Sequence, residues 1–513
     1  MTGLLSMLNP GWLLIAVGLG ALFLPVRRVR QGLTIAAPII AILLISVADR
    51  NVNLLTGHAL GIEMILYRVD NLSYIFGLAF LLAALLNAIY AWHTDDRLQD
   101  GMSIAYAGAA VAATFSGDMM TLFVFWELTA ITSVFLILRA GTRAAYFASM
   151  RYLGVQILSV YAFARMFPGH DALIWIGAVM TVFPVFFAVI ENDLRKVLAY
   201  SLNNQVGFMI CAIGLGTAGV GNALALNGAS AHAFCHIIYK GLLFMSMGAV
   251  LYRTGTTKAS ELGGLYKSMP WTTIFCIIGA MSISAFPLFS GFAAKSLTMS
   301  AVGKEGYTIV WLMLLFASAG VLEHSGIKIP YFAFFGHDSG KRVKEATFNM
   351  LLAMGLASFI CIAVGVPAIV PGFGYEWLYN LLPYREEAMA YHPFTLDHIL
   401  TQMQLLVLAI FAFVMLKRLG WYPPDKPGAV LDSDWLYRKA GYGMATWTGT
   451  VWQKVGPAMS AIFFKLTGRA YERIEDTFSP RGELARGGLA SGMAIWTAIL
   501  LGFVLLLSFI TTG

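Results

Sequence analysis

The chain has 513 residues, 58% of them hydrophobic and 12% charged, with a mean hydropathy of +0.73. A soluble globular chain carries about 25% charged residues, so the composition excludes a soluble protein and implies an integral membrane one. The formal net charge of +7 follows a bias among the loops, described below, and gives nucleic-acid binding little support.

A helix needs about 20 mostly apolar residues to cross the hydrocarbon core. On that criterion spans are expected near 11–25, 32–47, 72–92, 102–116, 119–138, 145–166, 171–190, 198–218, 226–251, 272–300, 306–322, 346–367, 399–416 and 490–511. The basic residues that follow the first apolar run, with no small-residue cleavage site, argue against a cleavable signal peptide. The expected fold class is an all-α polytopic membrane protein with about 14 transmembrane helices.

Lys and Arg concentrate in the loops after the odd-numbered spans: Arg27, Arg28 and Arg30, then Arg195 and Lys196, then Lys341, Arg342 and Lys344. The opposite loops hold few, chiefly Arg50, Arg68, Lys304 and Arg385. The positive-inside rule then places both termini on the outer face. All four cysteines (Cys211, Cys235, Cys276, Cys361) fall in spans without a C-x-x-C pattern, which reads as free core thiols.

Three charged residues sit inside expected spans: Glu127, Lys240 and Lys295. A charge at the bilayer centre costs roughly 2.5–3.5 kcal/mol on insertion scales, so three in one polytopic chain suggest a buried ion or proton path. His232, His236 and Lys240 recur at i, i+4 and i+8 and share one helix face. Imidazoles titrate near neutral pH and desolvation lowers a lysine pKa, so such a row can pass protons through water. The bland alternative is a set of hydrogen-bonded groups joining helices. A metal site lacks a nearby carboxylate or thiolate to complete it.

Pro287 and Gly291 interrupt a long apolar helix just before Lys295. A break at membrane depth survives only where protein or a water-filled cavity satisfies the freed carbonyls, and broken helices mark ion sites in transporters. The alternative is a packing kink with Lys295 snorkelling to the interface. Glu127, in Phe123-Val-Phe-Trp-Glu-Leu-Thr-Ala, is expected to be buried and paired with a cation of a neighbouring helix. Asp193, Arg195 and Lys196 read as a helix opening, and Glu323, His324, Lys328, His337 and Asp338 as a polar inner loop, solvated or meeting a partner. From Asp432 to Asp476 the pattern suggests an amphipathic helix on the inner face. No Gly-rich phosphate loop, nucleophile elbow or flavin fingerprint stands out, so no cofactor and no covalent chemistry are expected.

Together, Trp126-Glu127-Leu128, the Glu191–Ser201 run, the Ala231–Phe244 run, Gly263–Pro270 and Gly291-Phe-Ala-Ala-Lys295 resemble the proton-translocating antiporter-like membrane subunits. That family includes membrane subunits of respiratory NADH–quinone oxidoreductase, of membrane hydrogenases and of Mrp-type cation/proton antiporters. The His324–Asp338 wording is most similar to the D subunit of the Mrp type. The resemblance covers roughly residues 65–420. It implies an inverted-repeat fold of two five-helix bundles, each with a broken helix, and a central polar axis containing Glu127, Lys240 and Lys295. It also implies, as partners, other membrane subunits of a hetero-oligomeric complex, protons, monovalent cations and the lipid bilayer, in a bacterial inner membrane. The implied function is a subunit of a sodium/proton antiporter, a secondary transporter rather than an enzyme. The alternatives are a proton-pumping subunit of a redox complex and a non-transporting assembly subunit.

The organisation expected is 1–64 for the N-terminal helices and an outer loop, 65–420 for the antiporter-like core, 421–489 for the amphipathic segment and 490–513 for a last span. One departure from the family pattern falls near 159–160, where Arg151–Ser159 runs directly into Val160-Tyr-Ala-Phe-Ala-Arg165. The family has there a further broken helix with a lysine near a leucine–histidine–tryptophan stretch, and the first repeat is shortened by its loss. Two explanations compete: a deleted or mis-assembled gene product, which is favoured, and a true variant using another route. Removal of an even number of crossings keeps the downstream charge bias intact.

Overall fold

The structure, a computed structural model, describes residues 8–59, 62–139, 160–216, 223–422, 439, 441–478 and 500. The chain divides into two compact units, Met1–Val430 and Leu431–Gly513.

In the first unit α1 (Pro10–Phe23) and α2 (Arg27–Val47) lead into a hairpin of β1 (Val52–Ala59) and β2 (Ile62–Val69). The outer loop expected here is therefore a two-stranded antiparallel sheet pairing Val52 with Val69. Its backbone continues into the neighbouring turn, where Arg68 N donates to Phe115 O and Ile65 N to the Asp118 carboxylate. Helices α3 (Asn71–Ala91), α4 (Arg97–Thr114) and α5 (Met119–Leu138) follow, each opened by an aspartate cap: Asp70, Asp96 and Asp118. Such caps satisfy amide groups that the first turn leaves unbonded.

The short α6 (Val160–Met166) precedes α7 (Asp171–Ile190), α8 (Leu194–Leu215) and the long α9 (Ala223–Thr254). Asp193 caps α8 by accepting from Arg195 N at 2.9 Å, as its sequence suggests. α7 and α8 approach through glycines: a Cβ at Gly177 would lie 2.3 Å from Cys211 N, and one at Gly207 2.5 Å from Thr181 N. Small residues at a helix crossing let backbones meet where lipid offers no hydrophobic drive.

Helices α10 (Pro270–Ile283) and α11 (Ser290–Lys304) are the two halves of the interrupted helix. α12 (Thr308–Val321) runs on through two π-helical turns, Leu322–Ile327 and Tyr331–Phe335. α13 (Phe348–Ala363), the short α14 (Tyr375–Tyr379) and α15 (Arg385–Met389), and α16 (Leu396–Arg418) complete the unit. The four cysteines are free and buried.

Among the described residues eight helices are long and apolar enough to cross a membrane: α2, α3, α5, α7, α8, α9, α12 with its extension, and α16. α1, α10 and α13 are shorter apolar helices. Among the described residues this does not confirm the expected number of fourteen. The 272–300 span is two helices, the 102–116 span opens on the polar turn of α4, and the 145–166 span is represented by α6 alone. The last span, 490–511, lies outside the described residues except for Leu500, and so does the 151–159 side of the junction. In the second unit the described helix is α17 (Tyr442–Phe478), 37 residues with Pro457 inside, within the segment expected to be amphipathic.

Candidate ion-translocation site

The centre of the first unit holds a row of buried polar side chains on α9. His232, His236 and Lys240 are 0%, 7% and 3% exposed. The rings of His232 and His236 stand 6.2 Å apart and His236 and Tyr239 5.4 Å apart, both edge to face. One end of the row is anchored in α8. His232 Nε2 lies 3.0 Å from Gln205 Oε1 and 3.0 Å from the Tyr239 hydroxyl, which itself donates to Gln205 Oε1 at 3.1 Å. Because the tyrosine proton is committed to Gln205, the network assigns the remaining proton to His232 Nε2.

The ladder continues away from the histidines. Gln205 Nε2 donates to Asn204 Oδ1 at 2.6 Å, Asn204 Nδ2 donates to Thr181 O, and Thr181 Oγ1 donates to Asn204 O at 2.6 Å. Three helices, α7, α8 and α9, are therefore joined by one polar chain. The other end of the row is different: His236 Nε2 and Lys240 Nζ are buried without a protein hydrogen-bond partner among the described residues.

Lys295 belongs to the same centre and does not snorkel: it is 4% exposed. Its Nζ donates to Ile283 O at 2.7 Å, a carbonyl freed where α10 ends. The break between α10 and α11 spans 284–289, with Ala285 (φ 56°) and Leu288 (φ 74°) in the left-handed region that L residues rarely adopt. Pro287 lies in it, and Gly291 just beyond, where a Cβ would fall 1.8 Å from Ser282 O. Gln402 Nε2 of α16 donates to Ser284 O at 3.2 Å, satisfying a second carbonyl of the break. Phe208 links Lys295 to the row, its ring standing 5.3 Å from that of His232 and 5.8 Å from Lys295 Nζ.

On its far side Lys295 borders a cavity of about 400 Å³ shared with Ser296, Ser300, His398 and Gln402 and reaching Lys304 and Asp397. The last two are exposed, at the end of α11 and the start of α16. The cavity thus joins a buried lysine to one end of the bundle. Ser300, on its lining, is 2.8 Å from the Tyr391 hydroxyl.

Two expectations need correction. Glu323, His324 and Lys328 do not form a solvated loop: the helix continues through them, with His324 and Lys328 fully buried. Lys328 Nζ donates to Val189 O (2.6 Å) and Glu191 O (2.8 Å), closing the C-terminal end of α7, where carbonyls lack partners and a cation is favoured. His324 Nδ1 lies 2.8 Å from Ser325 Oγ, and its Nε2, like that of His236, is buried without a protein hydrogen-bond partner among the described residues. Glu127, expected to be buried and paired, is exposed on α5 and is not brought to Lys240 or Lys295. The helix that would cover it is not supplied by the described residues. His337 and Asp338 do lie in an exposed loop, where Asp338 bonds Lys267 at 2.8 Å and Arg342 at 2.7 Å.

Sequence reasoning missed Gln205, Asn204 and Tyr239, although the Asn203-Asn-Gln205 run inside an apolar span was a signal of its own. His324 and Lys328 were noticed and misplaced.

Residues 163–322 match the family described as NADH:quinone oxidoreductase/Mrp antiporter, transmembrane. "Hydrogenase-4 component B" of Escherichia coli (strain K12) is 29% identical over 211 residues, 38% of this chain and 31% of that protein. The D subunit of the Na(+)/H(+) antiporter of Alkalihalophilus pseudofirmus is 34% identical over 204 residues, 38% of this chain and 40% of that protein. These matches therefore span between about three and four tenths of the relatives' length. Among solved structures, a chain of the Mrp complex from Dietzia sp. DQ12-45-1b superposes with a TM-score of 0.68 at 17% identity, over all of this chain and 63% of its own. The resemblance read from the motifs is borne out, and the fold is that of these membrane subunits.

Proposed function

We propose that this chain, whose residues 163–322 match the NADH:quinone oxidoreductase/Mrp antiporter family, is a membrane subunit of a multisubunit monovalent cation/proton antiporter. It would exchange outward sodium, or another monovalent cation, for inward protons, driven by the proton-motive force. The observation that carries this reading is the buried titratable row from His232 through His236 to Lys240, with Lys295 beside a cavity that leads to one end of the bundle.

Protons would enter or leave through the cavity at Lys295. The two histidines would bridge between Lys295 and Lys240, and His324 would extend the row toward Lys328. Buried polar groups without protein partners need water, and a water-bridged row is what proton transfer requires. Repulsion between Lys240 and Lys295 would supply the coupling: a proton held by one would disfavour a second on the other. The break at Pro287 and Gly291 lets a carbonyl, rather than an anion, hold Lys295. Glu127 would modulate a neighbouring charge, though no described residue provides that charge.

We place the chain in a bacterial inner membrane with both termini outside, on the loop charges. The cavity at Lys295 would then open outward, because Lys304 and Asp397 stand at helix ends that the charge bias would place on the outer side. Partner subunits would complete the complex. A second reading, a proton-pumping subunit of a redox complex, is favoured by the 29% identity to the hydrogenase-4 component. A third, an assembly subunit without transport, draws on the position of Glu127 away from the axis.

The test is a pH-gradient assay in everted vesicles from an antiporter-deficient host expressing this gene with its neighbours. Rapid collapse of a respiration-built gradient on adding sodium or potassium, absent with the neighbours alone, supports antiport. No collapse from an assembled complex sinks it and leaves the other two readings.

A further inference from the structure

The cavity beside Lys295 carries a titratable side chain that the buried row does not use. His398, in the first turn of α16, lines it together with Ser296 and Ser300 of α11. Ser300 stands between Lys295 and the exposed Lys304 at the end of α11. Along the helix axis it is about 7.5 Å from the level of Lys295 and about 6 Å from that of Lys304. A proton moving between the open end and the buried lysine therefore passes the level of His398.

Two hydroxyls meet the imidazole. Its Nε2 is 3.4 Å from Ser300 Oγ and its Nδ1 3.4 Å from the Tyr391 hydroxyl, and those hydroxyls are 2.8 Å from each other. A neutral imidazole has one donor and one acceptor, and a hydroxyl gives one bond while taking others. The three groups can therefore close into a cycle that uses every hydrogen. An imidazolium donates from both nitrogens, so the cycle then holds one hydrogen too many and a hydroxyl must turn out of it. Ser300 lines the cavity, so its hydrogen passes to cavity water while Nε2 returns one to Ser300 Oγ. The ring gains one proton and gives up one, and ends neutral. The other charged groups on the lining are Lys295 and Lys304 of α11 and Asp397 of α16; α12 adds only Trp311, Leu315 and Ser318.

We propose that His398 exchanges protons between the open end of this cavity and Lys295, with Ser300 and Tyr391 as the hydroxyl partners that reset it. This rests on the proton-transfer reading above and names the group that serves its terminal lysine. A side chain that only tied Tyr391 to α11 would need no titratable proton.

The assembled complex is reconstituted in lipid vesicles, and uptake of labelled sodium or rubidium down its own gradient is followed with the same buffered pH on both sides. His398→Gln keeps a donor and an acceptor but takes up no proton. It is expected to slow uptake about tenfold or more and to flatten its pH dependence around neutrality, with assembly retained on co-purification. His398→Ala is expected to be slow as well and to be speeded by imidazole added on both sides, for which a cavity of about 400 Å³ has room. Uptake at the unaltered rate and pH dependence in both His398 variants, with Lys295→Ala inactive, would overturn this proposal and leave the antiport reading standing. Slow uptake in His398→Ala that imidazole does not change would make His398 a structural tie and overturn it too. No uptake of either cation by the unaltered complex would overturn the reading and the proposal together.

Discussion

The Lys295 ammonium donates to the Ile283 carbonyl oxygen at 2.7 Å, across the break that separates α10 from α11. One bond thus solves two problems, a buried cation and a carbonyl that has lost its helical partner. Replacing Lys295 with Met removes the charge but leaves Ile283 O buried and unpaired. The loss is expected to be about 1–3 kcal/mol, read as a lower denaturation midpoint in a detergent unfolding titration, with Lys295→Arg losing less.

Gly291 sits where a Cβ would meet Ser282 O at 1.8 Å. Backbone cannot yield as a flexible side chain can, so Gly291→Ala is expected to reshape the break and cost about 1–3 kcal/mol. The same titration checks it. Gly306→Ala is the contrast: no neighbour would touch its Cβ, and only its positive φ (75°) is strained.

Gln205 accepts from both His232 and Tyr239. Gln205→Leu strands two buried donors and is expected to destabilise by about 1–3 kcal/mol. Gln205→Glu keeps an acceptor for both and is expected to retain more transport than Gln205→Leu when both are assayed in the same vesicles.

In the exposed loop, the hydrogen bond from Arg342, then that from Lys267, holds the Asp338 carboxyl well below the usual carboxylate range. A depressed carboxyl pKa contributes stability above its unfolded value of about 3.9 and loses it as pH falls toward the folded one. The loop contact that Ser339 makes with Gly263 O is therefore expected to resist proteolysis at pH 7 and to weaken below about pH 4. Asp338→Asn removes this acid step. The effect is small and salt-sensitive because the pair is exposed; limited proteolysis across pH and salt reads it.

The parts of the fold and site that were legible in the sequence are those encoded locally. The row of His232, His236 and Lys240 follows from four-residue spacing, and the α10–α11 break from Pro287 and Gly291 flanked by apolar residues. The Gln205 network depends on which helix lies beside α9, and spacing along one helix does not encode that. His324 and Lys328 were misread because a charge after an apolar run resembles a loop; the carbonyl ends of α7 make the buried lysine tolerable. The β1–β2 hairpin was overlooked because its strands lie in a segment read only for hydropathy. Glu127 was expected inside because a mid-span charge usually needs a partner in its own chain.

The measurement that tests the central claim most directly is cation-dependent proton exchange by the assembled complex bearing Lys295→Ala, with assembly verified by co-purification of the neighbouring subunits. If the path runs through this chain, exchange falls to background while assembly is retained. Exchange at the unaltered rate in that variant would place the path elsewhere and contradict the account.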